Sequence, residues 1–264
     1  MTQSALPDAL RSIENVRRFI RSSESKVSAV KHILSISEDI ARCASTWARD
    51  VAEFDEGRKY DFACAVIMLY GAMERFVEDS AEEAIAGLLR VTESYEDLPA
   101  RLRTVHFDLT LTHLARTRES RYDRRIGAQE LVQALSSCLS SNCPFEFITD
   151  SMLHHSANFR VQIVDDFYAR LDLSSASILA IESTPFQAYL TSLGITVSSG
   201  RPEAILDRIN LLVSMRNEVA HGDMRNILAP SELMPYCDQL EAYCRGLSDA
   251  LDSHVVSLCT QERH

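Results

Sequence analysis

The chain has 264 residues, 46% of them hydrophobic, and a formal net charge of −11. That length and apolar content fit one large domain or two small ones around a buried core, and exclude a disordered chain. The negative balance excludes nucleic-acid binding through a global positive field, so any contact with RNA or DNA has to be local.

No apolar run reaches the roughly 20 residues that cross a bilayer; Ala63 to Ala72 is followed closely by Glu74 and Arg75. A membrane partner is therefore not expected. The N-terminal stretch has no basic segment leading into an apolar core, which speaks against a secretory signal. The seven cysteines form an odd set without a Cys-x-x-Cys pair, the pattern of reduced thiols in a cytoplasmic protein.

With only 8 glycines and 7 prolines, and apolar positions recurring every three to four residues, the chain reads as all-α. A first helix follows Pro7-Asp8 and carries Leu10, Ile13, Val16, Phe19 and Ile20 on one side. A second runs from about Ser25 to Trp47, and the two are expected to form an N-terminal hairpin over residues 1–50, packed on the remainder. Tyr60 to Arg90 is the strongest long helix and the expected centre of a bundle. Its small residues Ala63, Ala65, Gly71 and Ala72 suit close approach of another helix, and Glu74 stands at the edge of its core face.

Leu98 to Thr117 is less regular, and an Arg-rich turn over Glu119 to Gly127 leads to a helix at Ala128 to Leu139. Arg101, Arg103, Arg116, Arg118, Arg121, Arg124 and Arg125 face only Asp108, Glu119 and Asp123 in this region, with His106 and His113 interleaved. A solvated helix face and loop is one reading; a grip on a phosphate backbone, with Arg121, Arg124 and Arg125 as RNA-binding candidates, is the other. Ser140 to Pro144 breaks the chain. Phe159 to Leu171 and Ser174 to Leu193 read as shorter helices, the latter interrupted at Thr184-Pro185, and Leu193 to Gly200 as a loop or short strand. His154-His155 could suggest a metal, but adjacent histidines belong more naturally in a loop.

The next helix opens at Arg201-Pro202-Glu203, carries Ile205, Ile209, Leu212, Val213 and Ala220 toward the core, and ends where Gly222 can take a left-handed cap. Ser231 is expected to cap a last long helix. At the end of the former stands Arg216-Asn217-Glu218-Val219-Ala220-His221-Gly222. Arg216 can hold a phosphate bidentately, His221 can move protons, and Asn217, four residues before it, shares its face. A helix C-terminus also favours a protonated imidazole. Ser214 lies near enough to line such a site. One histidine cannot serve as both base and acid in one step, so a two-fold dimer that duplicates Arg216 and His221 would complete it. A bare Arg-x-x-x-x-His is weak evidence, since Arg101 to His106 also fits; Asn217 and Gly222 set the second run apart.

The Arg216-Asn217-x-x-x-His221 run, following a helix with Tyr70-Gly71-Ala72-Met73-Glu74-Arg75-Phe76, resembles the HEPN superfamily, closest to its bacterial RiboL-PSP type. The resemblance implies a helical bundle dimerising through the motif helices, and metal-independent endoribonuclease activity in toxin–antitoxin or antiphage systems. It implies no cofactor, and as partners an RNA substrate, a second copy, and an antitoxin or defence protein. Arg216, Asn217 and His221 match the motif residues, and Glu74 falls where many members carry a glutamate near the site. On this reading residues 51–264 form the HEPN-like domain, with a central insertion over about 98–200. A non-catalytic module of the same fold, holding a nucleotide, RNA or protein, is the alternative.

Overall fold

A computed structural model of the chain describes residues 4–36, 44–116, 126–140, 144–195, 202–223, 225 and 228–261. Among these, every regular element is helical: α1 Ala5–Ile36, α2 Ala44–Val91, α3 Ala100–Arg116, α4 Ala128–Leu139, α5 Thr149–Leu153, α6 Val161–Tyr168, α7 Ala176–Glu182, α8 Thr184–Ser192, α9 Pro202–Ala220 and α10 Pro230–Gln261, with 3₁₀ turns at Tyr95–Asp97 and Ala169–Leu171. The all-α reading holds. No helix among the described residues is long and apolar enough to cross a membrane. The chain clusters into two compact units, Met1–Phe76 with Pro185–Cys244, and Val77–Thr184 with Arg245–His264.

In the first unit, α1 buries Ala5, Ala9, Ile13, Val16, Ile20, Ser23 and Val27, a stripe at steps of three or four. The break expected near Ser22 to Ser25 is absent, and α1 continues to Ile36. Serine costs a helix little, and the buried Ser23 hydroxyl donates to Asp61 Oδ2 of α2 at 3.0 Å instead of competing for backbone. The arm lying against α1 is therefore α2, not a separate Ser25 to Trp47 helix. Arg17, only 12% exposed, ties α1 to α10 through Asp238 at 2.9 Å and Glu241 at 2.6 Å.

Phe62, Val66, Leu69, Tyr70, Met73 and Phe76 of α2 are buried as the periodicity predicts. Gly71 differs from its expected packing role, because a Cβ built there meets nothing within 4 Å. On α9, Leu206, Ile209, Leu212, Val213 and Val219 are buried, whereas Ala220 is exposed and Ile205 only half-buried. Core contact in the last turn passes to Val219, seven residues beyond Leu212. Gln239 Nε2 of α10 donates to the Ile205 carbonyl at 2.6 Å. Helix α10 starts at Pro230, so Ser231 lies inside its first turn and is not the cap. Proline suits the first helical position, and Glu232 Oε2 reaches back to accept the Ala229 N–H at 2.8 Å, which satisfies the helix start without a serine.

The second unit is built on Val77, Ala81, Ala84, Ile85 and Leu88 of α2 and on Phe159, Phe167 and Tyr168. Phe159 and Phe167 meet edge to face at 5.1 Å, and the buried Tyr168 hydroxyl pairs with Ser80 Oγ at 2.7 Å. Gly246 of α10 fits tightly in this unit. An added Cβ would run into the Ala180 carbonyl at the end of α7 and come within 2.7 Å of Ser183 Oγ. Because a helix backbone cannot yield as a side chain does, Gly246→Ala is expected to destabilise by about 1–3 kcal/mol, outweighing the roughly 1 kcal/mol that alanine gains in helix propensity. Urea unfolding of the two proteins checks this.

Candidate functional site

Helix α9 presents the motif at its last turns and ends in a defined cap. Gly222 adopts φ +80, its N–H bonds to the Val219 carbonyl at 2.9 Å, and the Asp223 N–H to the Glu218 carbonyl at 2.9 Å. This pair of bonds is a Schellman closure, which needs a residue that tolerates the left-handed region. The cap holds His221 at the helix terminus, its backbone N–H shared between the Asn217 and Glu218 carbonyls at 3.0 and 3.1 Å. The imidazole itself is exposed. It borders a shallow depression of about 480 Å³ with Lys59, Gly222, Asp223 and Arg225. Arg225 grips Asp223 through Nε and Nη2, at 3.0 and 2.6 Å. Those hydrogen bonds hold the Asp223 carboxyl down at about 2, so beside His221 it is an anion already claimed by an arginine.

Arg216 is placed differently. Its guanidinium lies 5.0 Å over the ring of Tyr70, well within cation–π range, and its Nη1 donates to Asn217 Oδ1 at 3.2 Å. Tyr70 is 1% exposed and donates its hydroxyl to Glu74 Oε1 at 2.8 Å. Glu74 therefore reaches the arginine indirectly, through the phenol that supports it. Arg216, Asn217 and Glu74 form one connected group by way of Tyr70. His221 is five positions beyond Arg216, a step that on a helix turns the two side chains about 140° apart. Ser214 Oγ donates to the Asn210 carbonyl of its own helix at 3.1 Å.

Three contributors went unread in the sequence. Lys59 joins His221 only through tertiary placement, Arg225 follows it by four residues, and Tyr70 stands one helical turn before Glu74, a spacing that makes the two neighbours on α2. Arg121, Arg124 and Arg125 lie outside the described residues. His154 and His155 follow α5 in a loop, as the sequence suggests, and no group of three or more metal-ligating side chains occurs among the described residues.

The decoy run Arg101 to His106 has a structural role. His106 is fully buried and stacks on Phe147 at 3.9 Å. Its Nε2 accepts the Ile148 N–H at 3.0 Å, and its Nδ1 faces the Tyr95 hydroxyl at 3.0 Å. It cannot meet a phosphate in solvent. The two Arg-x-x-x-x-His runs are thus told apart by burial.

Against family models, the chain matches RiboL-PSP-HEPN over residues 30–253. No curated protein and no solved structure matches it. The matched span takes in the long α2 helix, the motif helix α9 and most of α10, and the chain accordingly belongs to the RiboL-PSP-HEPN family.

Proposed function

We propose that the protein is a metal-independent endoribonuclease of a bacterial toxin–antitoxin or antiphage defence system, with a composite active site at a homodimer interface. The observation that carries this reading is the pairing, on one capped helix end, of an arginine braced by Tyr70 and Asn217 with an imidazole open to solvent. Strand scission then needs no outside reactant. His221 of one protomer takes the proton of an RNA 2′-hydroxyl, the 2′-oxygen bonds to phosphorus, and the bond from phosphorus to the 5′-oxygen breaks. His221 of the partner subunit protonates that leaving oxygen, leaving a 2′,3′-cyclic phosphate and a 5′-hydroxyl. Arg216 offsets the charge that builds on the pentavalent phosphorus. The pairing of two copies draws support from Leu211, an apolar side chain on the motif helix that is 54% exposed.

Incubation of purified protein with single-stranded RNA in EDTA tests this directly. Cleavage is expected to persist, to yield cyclic-phosphate ends, and to fall by about 10²- to 10⁴-fold in His221→Ala, the range for loss of a proton-transfer group. Cleavage that stops in EDTA, or survives His221→Ala, overturns it. The alternative, an RNA- or nucleotide-binding module without turnover, is favoured by the net charge of −11. Retained binding with no fragments in the same experiment would establish it.

A further inference from the structure

The second unit holds a cavity of about 850 Å³ between α2, α3, α5, α6 and the loop after α5, in the size range of sites for small organic ligands. None of its lining residues belongs to the Arg216–His221 motif. Helix α3 turns Leu109, Thr112, His113 and Arg116 into it, the i, i+3, i+4, i+7 stripe of one face. The loop after α5 and the turn after α6 add His154, His155 and Arg170. Arg116 and His113 of the Arg-rich stretch and the His-His pair, all left unassigned in the sequence, therefore meet here.

The basic wall is a built structure. His113 Nδ1 lies 2.9 Å from the buried Ser151 Oγ, and its ring runs nearly parallel to that of His154, 6.5 Å away. Arg170 Nη1 donates to the Met152 and His154 carbonyls at 2.5 and 2.9 Å and packs on the Phe167 ring at 4.8 Å, fixing the loop that carries the histidines. His155 bridges Glu78 Oε1 at 2.7 Å and the Ala157 carbonyl at 2.9 Å, so Glu78 is answered locally. Asp166 accepts from Gln162 at 3.0 Å and lies beside Arg170. At His154, burial and then the charges of Arg116, His113, His155 and Arg170 press the imidazole below its ordinary range. Arg116 and Arg170 thus bring fixed positive charge to this part of the wall, which an anion would answer. Asp79 and Glu82 on α2, with Asp150 on α5, line the same cavity, so its wall carries both signs.

We propose that this cavity binds a small phosphomonoester carrying amino donors at its other end, the phosphate between Arg116, His113 and His154 and the amino end against Asp79 and Glu82. The proposal is independent of any nuclease activity. Isothermal titration of the full-length chain tests it, with guanosine 5′-monophosphate as the probe, and guanosine, inorganic phosphate and uridine 5′-monophosphate as comparisons. Saturable binding of one guanylate per chain is expected. Guanosine should bind at least tenfold more weakly for lack of the phosphate, and inorganic phosphate and uridylate more weakly for lack of an amino group. Arg116→Met should weaken guanylate binding at least tenfold. Glu82→Gln, at an exposed position tolerant of change, should weaken guanylate but leave inorganic phosphate unaltered, while His221→Ala should leave guanylate binding intact. Absence of saturable binding, equal affinity for phosphate and guanylate, or full binding by Arg116→Met and Glu82→Gln overturns the proposal. Loss of binding in His221→Ala also overturns it, because the nucleotide would then sit at the motif.

Discussion

Arg216→Ala is expected to lower RNA cleavage by about 10²- to 10³-fold, the loss typical of removing one preorganised donor to a developing oxyanion. The size of the effect follows from how the side chain is held. Tyr70, buried to 1% exposure, presents a fixed ring to the guanidinium, and Asn217 Oδ1 fixes its rotation about that ring. On the proposed reading the charge is positioned before substrate arrives, and little reorganisation is left for the transition state. Arg216→Lys keeps the charge but replaces a planar fork with a point charge that stacks less well on tyrosine, so it should recover only a small part of the activity. Tyr70→Leu keeps the arginine and removes its support; an intermediate loss is expected, with Tyr70→Phe milder because the ring under the guanidinium stays while the bond to Glu74 disappears. Rates under single-turnover conditions, with circular dichroism to verify folding, decide the matter. Full activity in Arg216→Lys would reduce the role to bare charge, and full activity in Arg216→Ala would remove the residue from the site.

The parts of this arrangement legible in sequence were those set by local rules. Helix α4 occupies Ala128–Leu139 as its periodicity predicts, and Gly222 takes the left-handed cap that ends α9. Asn217 and His221 fall on one face because four residues nearly complete a helical turn. Where the outcome depended on a distant partner, local rules failed. The serines of α1 read as a break until Asp61, far along the chain, claims Ser23. Tyr70 reads as one more core aromatic until Arg216 is laid over it. Lys59, more than 160 positions before His221, reaches its depression by folding alone. His106 and His221 sit in the same Arg-x-x-x-x-His spacing, and only burial assigns one to the core and the other to solvent.

That burial makes His106 a source of acid sensitivity, the second large effect expected. Its Nε2 must stay unprotonated to accept the Ile148 N–H, while the Nδ1 proton is directed at the Tyr95 hydroxyl, which itself donates to the Arg103 carbonyl at 2.9 Å. A second proton would set donor against donor in a site without water access. Burial accordingly lowers the imidazole from 6.5 to about 4 in the folded protein. The unfolded chain takes up a proton there as pH falls through about 6.5, and the folded chain does not until about 4, so unfolding is favoured progressively across that window. The full difference corresponds to about 3 kcal/mol, a large fraction of the roughly 5–15 kcal/mol that holds a domain folded. His154, lowered by burial and neighbouring cations, acts in the same direction, so the His106 share must be isolated by difference. His106→Gln retains an acceptor near Ile148 but cannot titrate. The variant should be less stable than the parent at pH 7, for lack of the ring that stacks on Phe147, yet lose less stability between pH 7 and pH 5. Urea unfolding followed through both far-ultraviolet circular dichroism and tyrosine fluorescence, at each pH, measures the two slopes. Parallel slopes would mean that His106 is protonated alike in the folded and unfolded chains, contrary to the hydrogen bonds that surround it.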